Sequence, residues 1–244
     1  MKKAIVTGAS SEIGKATILR LIEEGYYILA CDLEVMRDKF YDNEISSQQE
    51  LIKFIPLDLK NTDLRNAVIK NISNNQVDLC INIAGKNILK SFYEWDEESL
   101  KDVFDINFIY TTLFIKEVAV KFIEYNTPGK IILISSQHGI VANKERIPYC
   151  VSKGMLAQLT RALALELAPY SIRVNSVSPT FVKTKDNKKL LETPLMYYEA
   201  HDQIPLKKYA EASDVASAIC FLANDENNMI TGHDLVVDGG WTTQ

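Results

Sequence analysis

A glycine turn near the start of the chain limits its fold most severely. Lys3-Ala4-Ile5-Val6-Thr7 reads as a short buried strand. It runs into Gly8-Ala9-Ser10-Ser11-Glu12-Ile13-Gly14, and a helix carrying Ile18, Leu19, Leu21 and Ile22 follows. Strand, glycine turn and helix form the setting in which a diphosphate rests on a helix N-terminus. Gly8 permits the sharp turn, and Gly14 lets helix and strand approach closely. The same alternation continues along the chain. Further strands are expected at Tyr26–Cys31, Leu51–Leu57, Val77–Ile81, Gly129–Ser135, Ile172–Val177 and Leu235–Val237. Helices are expected after the cap Asn61-Thr62-Asp63, over Glu97–Tyr125 and Pro148–Leu167, and over Glu211–Ala223. The pattern predicts a single α/β domain over residues 1–244, a seven-stranded parallel sheet with helices on both faces. Residues 33–50 read as a ragged helix and loop, and 185–206, with Met196, Tyr197 and Tyr198, as a mobile lid.

Composition excludes several classes. The net charge is -5 with no basic block, which argues against nucleic acid or an anionic membrane as partner. Apolar residues make up 47% of the 244, enough for a substantial core. The apolar run after Lys2 and Lys3 ends at Thr7, too short for a signal peptide, and no stretch reaches transmembrane length. Cys31, Cys80, Cys150 and Cys220 are widely spaced and form no metal motif. They read as reduced core residues, Cys150 included, which fits the cytoplasm.

Chemistry is concentrated between Ser136 and Lys153. Ile131-Ile132-Leu133-Ile134 is a buried strand, and Ser136 stands just past its C-terminal end. If a helix starts near Pro148, Tyr149 and Lys153 share one of its faces, one turn apart. A phenol has an ordinary pKa of about 10, too high for proton transfer at neutral pH. A lysine ammonium and the helix N-terminus would both lower it. Y-x-x-x-K alone is also an ordinary solvated helix face. Asp32, at the end of the second strand, suits the adenosine ribose hydroxyls; a turn or cap aspartate reads the same way.

Taken in order, these motifs resemble the short-chain dehydrogenase/reductase family over essentially the whole chain. The match begins with T-G-A-S-S-E-I-G at Thr7–Gly14, then Asp32, Asp58 and N-I-A-G at Asn82–Gly85. Asn107, Ser136, Tyr149 and Lys153 follow, and P-T-F-V-x-T at Pro179–Thr184. The resemblance implies a Rossmann fold and a tetrad of Asn107, Ser136, Tyr149 and Lys153. Tyrosine is then the acid/base, serine orients the carbonyl, lysine holds the nicotinamide ribose, and asparagine supports a water-linked proton path. It also implies cofactor contacts from Gly8, Ser10, Ser11, Glu12, Ile13, Gly14, Asp32, Leu33, Asp58 and Leu59. Asn82, Ala84, Gly85, Tyr149, Lys153, Pro179, Thr180, Val182 and Thr184 complete that set. No metal is implied.

Three residues depart from the family pattern. Glu12 stands where a glycine is usual, Ile83 replaces an asparagine, and Thr180 replaces a glycine. Glu12 is expected to crowd or repel the pyrophosphate unless it turns to solvent, and Thr180 to narrow the nicotinamide end. The implied function is hydride transfer between NAD(H) and a secondary alcohol or ketone. Polar Gln137, His138, Asn143, Lys144, Glu145 and Arg146 favour a sugar, polyol or hydroxy acid; a solvated loop would look alike. A 3-oxoacyl carrier-protein reductase and a non-catalytic dinucleotide-binding regulator are the alternatives. Asp32 and Glu34 oppose the extra phosphate of NADP, so NAD is expected, with Arg37 the one nearby cation. The family pairs its two long helices across two-fold axes. Ile115, Val118, Phe122, Leu159 and Leu163 are expected on their outer faces, and a homotetramer with them.

Overall fold

Apolar residues alternate along each strand and face two separate cores. Ile5, Ile131 and Leu133 face one core, built with Phe114, Ile115, Val118 and Leu156. Their neighbours Ala4, Val6, Ile132 and Ile134 face the other, built with Ile18, Leu21, Val215 and Ile219. A sheet buried on both faces follows directly. The computed structural model describes residues 1–72, 77–199 and 201–244, and the side chains of all of these except 195, 198 and 199. Its seven strands are β1 Lys3–Thr7, β2 Tyr27–Asp32, β3 Ile52–Pro56, β4 Val77–Asn82, β5 Lys130–Ile134, β6 Arg173–Pro179 and β7 Asp234–Val237. They lie in the order β3-β2-β1-β4-β5-β6-β7, and every pairing is parallel. The order reverses between β1 and β4, which opens a crevice at their C-terminal ends, where ligands of such sheets bind.

Helices are capped by side chains, one of them by the expected Asn61. Helix α1, Glu12–Glu23, is capped by Ser11, whose Oγ accepts from the Gly14 amide at 3.0 Å. Asn61 caps α2, Thr62–Ile69, accepting from the Asp63 and Leu64 amides at 2.9 and 3.1 Å. The turn before α1 requires glycine. Gly8 has φ +65°, and a Cβ on it would sit 2.8 Å from the Ala84 amide nitrogen. A Cβ on Gly14 would lie 2.4 Å from the Gly8 carbonyl oxygen.

The expected long helix is interrupted. It runs as α3, Glu97–Phe104, then one π turn at Asp105–Ile109, then α4, Tyr110–Glu124. Such turns are often found at functional sites, and this one carries Asn107. Helix α5 covers Ile147–Leu167 with Pro148 in its first turn, and α6 covers Ala212–Ala223.

Two other expectations need correction. Ile115, Val118 and Phe122 are wholly or almost wholly buried in the protein's own core, so they form no outer face. Residues at i, i+3 and i+7 share a helix face, and these three point to the sheet. Leu159 and Leu163 are partly buried against the same core. The outward stripe of α4 instead carries Leu113 and Val120, and that of α5 carries Val151 and Leu165. Cys150 is half-buried rather than a core residue, whereas Cys31, Cys80 and Cys220 are buried, and all four are free thiols.

The segment expected as a lid contains short helices at Lys188–Leu191 and Pro194–Glu199. Leu191 and Ile204, both within it, are buried. Tyr209 Oη donates to the Leu191 and Met196 carbonyls at 3.1 and 3.3 Å. Within that segment, Ala200 lies outside the described residues, as does the side chain of Tyr198. Among the described residues no helix is long and apolar enough to cross a membrane, and no group of three His, Cys, Asp or Glu could hold a metal ion.

Candidate active site

Above the crevice between β1 and β4 lies a cleft of about 910 Å³. Gly8, Ser10, Ser11 and Ile13 line its floor, with Asp32, Leu33, Asp58 and Leu59 at one end. Ala84, Gly85, Pro179, Thr180 and Val182 form its walls, and Ser136, Tyr149 and Lys153 close the other end. Most of the residues singled out in the sequence are therefore gathered in one place.

Five of them do not line the cleft. Gly14 is occupied by packing against the turn. Asn82 supports the turn from below, its Oδ1 accepting from Thr7 Oγ1 at 2.8 Å. Thr184 Oγ1 instead accepts from the Asn187 amide at 3.2 Å. Glu12 turns away from the turn's amides, and its carboxylate accepts from the Lys185 amide. It therefore ties helix α1 to Lys185, at the start of the segment expected as a lid, and does not crowd the floor. Asn107 is buried behind the wall. Its Oδ1 accepts from the Lys86 amide at 2.7 Å, and its Nδ2 donates to the Lys86 carbonyl at 2.8 Å and to Ser152 Oγ at 2.9 Å. Through these bonds it joins the loop after β4 to α5, one residue before Lys153.

Burial dominates the electrostatics at the catalytic end. Lys153 is 4% exposed, and its Nζ donates to the Ile134 carbonyl at 2.6 Å. Desolvation lowers its pKa to about 8. Its ammonium lies 5.6 Å from the centroid of the Tyr149 ring. The pKa of Tyr149 was expected below its ordinary value, yet it is raised. Burial is the largest cause, and a hydrogen bond with Ser136 and the charge of Arg146 only partly offset it. The phenol is thus held in its protonated form at neutral pH.

The Asp32 carboxylate is fixed by two backbone amides, Ser10 N to Oδ2 and Leu33 N to Oδ1, both at 2.8 Å. Each oxygen keeps a lone pair for a ribose hydroxyl. Arg37 is not directed at this end: it pairs with Glu34 through Nε at 2.7 Å and Nη2 at 2.9 Å, an i, i+3 pair visible in the sequence. Among the cations that line the cleft is Lys39, paired with Asp186 at 2.6 Å. Sequence reading missed both residues. They are 147 positions apart, so only the fold brings them together.

Several polar atoms in this region are buried without partners. They are both amide atoms of Gln137, Nδ1 of His138 and Oγ1 of Thr180. A buried polar group left unpaired costs about 1–3 kcal/mol, so a cluster of them marks a place for a ligand. Gly8, with no room for a Cβ, Asp32 with free lone pairs and the unpartnered Thr180 hydroxyl fit a dinucleotide.

Known proteins give the same picture. A family model described as enoyl-(acyl carrier protein) reductase matches residues 8–242. L-xylulose reductase of Mesocricetus auratus is 34% identical over 240 residues, covering 98% of this chain and 96% of that protein. The solved structure of ElxO with NADP bound has a TM-score of 0.92 at 28% identity, covering 100% of this chain and 99% of that one. That of 4-hydroxyisoleucine dehydrogenase complexed with NADH has a TM-score of 0.89 at 27% identity, with 100% of both chains covered. With the sheet order, the glycine turn and the Ser136–Tyr149–Lys153 cluster, these likenesses show that the chain belongs to the short-chain dehydrogenase/reductase family, NAD(P)-dependent oxidoreductases acting on CH–OH groups.

Proposed function

We propose that the protein interconverts a secondary alcohol and a ketone on a sugar, polyol or hydroxy acid, with NAD(H) as the preferred cofactor. One observation carries the reading: Ser136, Tyr149 and Lys153 line the same cleft as the Gly8 turn and Asp32. Bound there, the dinucleotide supplies or accepts the hydride. Tyr149 gives its hydroxyl proton to the carbonyl oxygen during reduction; during oxidation it takes one from the alcohol as the phenolate, after its own proton has left. Ser136 Oγ hydrogen-bonds that same oxygen. Lys153 holds the nicotinamide ribose, and its charge stabilises the phenolate left after proton transfer. Asn107 holds the Lys86 backbone and α5 in register, and it supports a water-linked path for reprotonation. Gly8, Ser10, Ser11 and Ile13 receive the diphosphate, and Asp32 and Leu33 the adenosine ribose. Asp58, Leu59, Ala84 and Gly85 flank the adenine and the central part of the cofactor, and Pro179, Thr180 and Val182 the nicotinamide.

The preference for NAD is supported by the Asp32 carboxylate at the ribose end and by the pairing of Arg37 with Glu34. Lys39 is the cation an NADP phosphate would recruit, at the cost of its pair with Asp186. NAD is expected to exceed NADP by at least ~10-fold in kcat/KM, about 1.4 kcal/mol. Asp32→Ala narrows the gap by weakening NAD and relieving repulsion of NADP. Kinetics of both cofactors, on both proteins, against a panel of ketoses, polyols and hydroxy acids check this. A wild type that prefers NADP contradicts it, and an inactive one across the panel favours a dinucleotide-binding regulator.

The L-xylulose reductase likeness supports a small polar substrate, and so does the polar lining at Gln137 and His138. Neither favours a 3-oxoacyl carrier-protein substrate. We propose further that residues 185–206 act as the lid over this site and that the protein works in the cytoplasm as a homotetramer. Four free thiols and the exposed apolar stripes of α4 and α5 support these readings.

A further inference from the structure

The charged side chains lining the cleft are not equally occupied. Lys39 is paired with Asp186, and Lys60 and Lys86 share Asp102. Lys153 is engaged by the Ile134 carbonyl. Arg146 differs from all of these. It lies at the N-cap of α5, three residues before Tyr149, and lines the same end of the cleft. Its guanidinium carbon stands 5.7 Å from the centroid of the Phe181 ring. Its one hydrogen bond runs from Nε to the Lys144 carbonyl at 3.3 Å. Among the described residues no carboxylate pairs with it, and its two terminal nitrogens have no acceptor.

A planar guanidinium braced against an aromatic ring, with its outer edge free, is a ready bidentate site for a carboxylate. Beside it are the buried, unpartnered amide of Gln137 and Nδ1 of His138. Burial, and then the charge of Arg146, lower the pKa of His138 to about 4, so the imidazole is neutral at pH 7. It is therefore a hydrogen-bonding group for hydroxyls and adds no second cation for a dianion. We propose that Arg146 anchors a carboxylate of the substrate, and that the enzyme acts on hydroxy acids and their keto forms in preference to neutral sugars and polyols. The proposal rests on the oxidoreductase reading above. Oxidation of such an acid would pass one hydride to the dinucleotide and one proton to the Tyr149 phenolate, and the carboxylate takes no part in the chemistry.

The test is the ratio of kcat/KM for an aldonate to that for the alditol of equal chain length. Threonate is compared with threitol, xylonate with xylitol and gluconate with glucitol, all with NAD. The wild type is expected to favour the acid by at least ~10-fold. Arg146→Gln is expected to cut the ratio by at least ~10-fold, chiefly through a higher KM for the acid, and Arg146→Lys is expected to restore part of it. Arg146 also acts on the proton affinity of Tyr149. Both members of a pair use Tyr149, however, so that effect cancels in the ratio. A wild type that favours alditols, or an unchanged ratio in Arg146→Gln, overturns the proposal while leaving the oxidoreductase reading intact. Preference for sugar phosphates over the aldonates overturns the carboxylate. No turnover of any pair with either cofactor overturns the oxidoreductase reading, and this proposal with it.

Discussion

Lys153 sits in the cleft at an energetic cost, because burial strips water from its ammonium. Its pKa in the folded protein is about 8, against an ordinary 10.5. Below about pH 8 both folded and unfolded chains carry the ammonium, and folding bears the whole cost of burying it. Between about pH 8 and 10.5 the folded state releases its proton first, so the cost fades as pH rises. Lys153→Met removes that cost together with the hydrogen bond to the Ile134 carbonyl. The Tm of the variant relative to wild type is therefore expected to be most favourable at pH 7 and to decline towards pH 10. Thermal unfolding at both values checks it, and a difference that grows with pH contradicts it. Turnover is expected to fall at both, the usual exchange of stability for a working site. Tyr149 shows where sequence reasoning stops. Its position relative to Lys153 follows from helical spacing, but its raised pKa does not. Its surroundings are set by His138, Ser136 and Arg146, which meet it only in the fold.

Among the elements, the strands were the most legible. Their short apolar runs, closed by glycine or polar turns and separated by helical segments, fit buried strands of a parallel sheet, and Gly8 and Gly14 leave one arrangement for the first turn. The π turn at Asp105–Ile109 was not legible, because Asp-Ile-Asn-Phe-Ile has ordinary helical periodicity and nothing marks the extra residue. Asn107 could thus be identified by its place in the motif order, but not as a buried brace between Lys86 and Ser152. Glu12 was read as an obstacle to the pyrophosphate. Its carboxylate is instead directed to the exposed Lys185 amide. With the Lys39–Asp186 pair, that contact fastens residues 185 and 186 to α1 and the residues after β2. A charge-assisted hydrogen bond of this kind contributes about 1.5 kcal/mol. Glu12→Ala is expected to raise hydrogen exchange at the Lys185 amide by about 10-fold. Residue-resolved exchange checks it, and unchanged protection means that Glu12 does not hold the segment.

For the molecule as a whole, the two long helices supply the argument for assembly, though not through the residues first expected. Ile115, Val118 and Phe122 complete the monomer's own core. Leu113 and Val120 on α4, and Val151 and Leu165 on α5, are 37%, 40%, 48% and 82% exposed. Each pair is spaced by a multiple of seven residues, which aligns it along one helix face. Two apolar stripes of this kind on neighbouring helices suit a symmetric interface. Light scattering is expected to give a mass four times that of the 27.6 kDa chain. A monomer at micromolar concentration contradicts the assembly but not the chemistry, because every residue of the cleft belongs to one chain. The chemistry itself depends on a single oxygen. Tyr149→Phe removes that hydroxyl and leaves the ring, the cleft and Lys153 in place. Turnover with NAD(H) is expected to fall at least ~100-fold, with cofactor affinity little changed, since general acid–base catalysis contributes about 10²–10⁴. Near-normal turnover in Tyr149→Phe would contradict the assignment of Tyr149 as the proton donor.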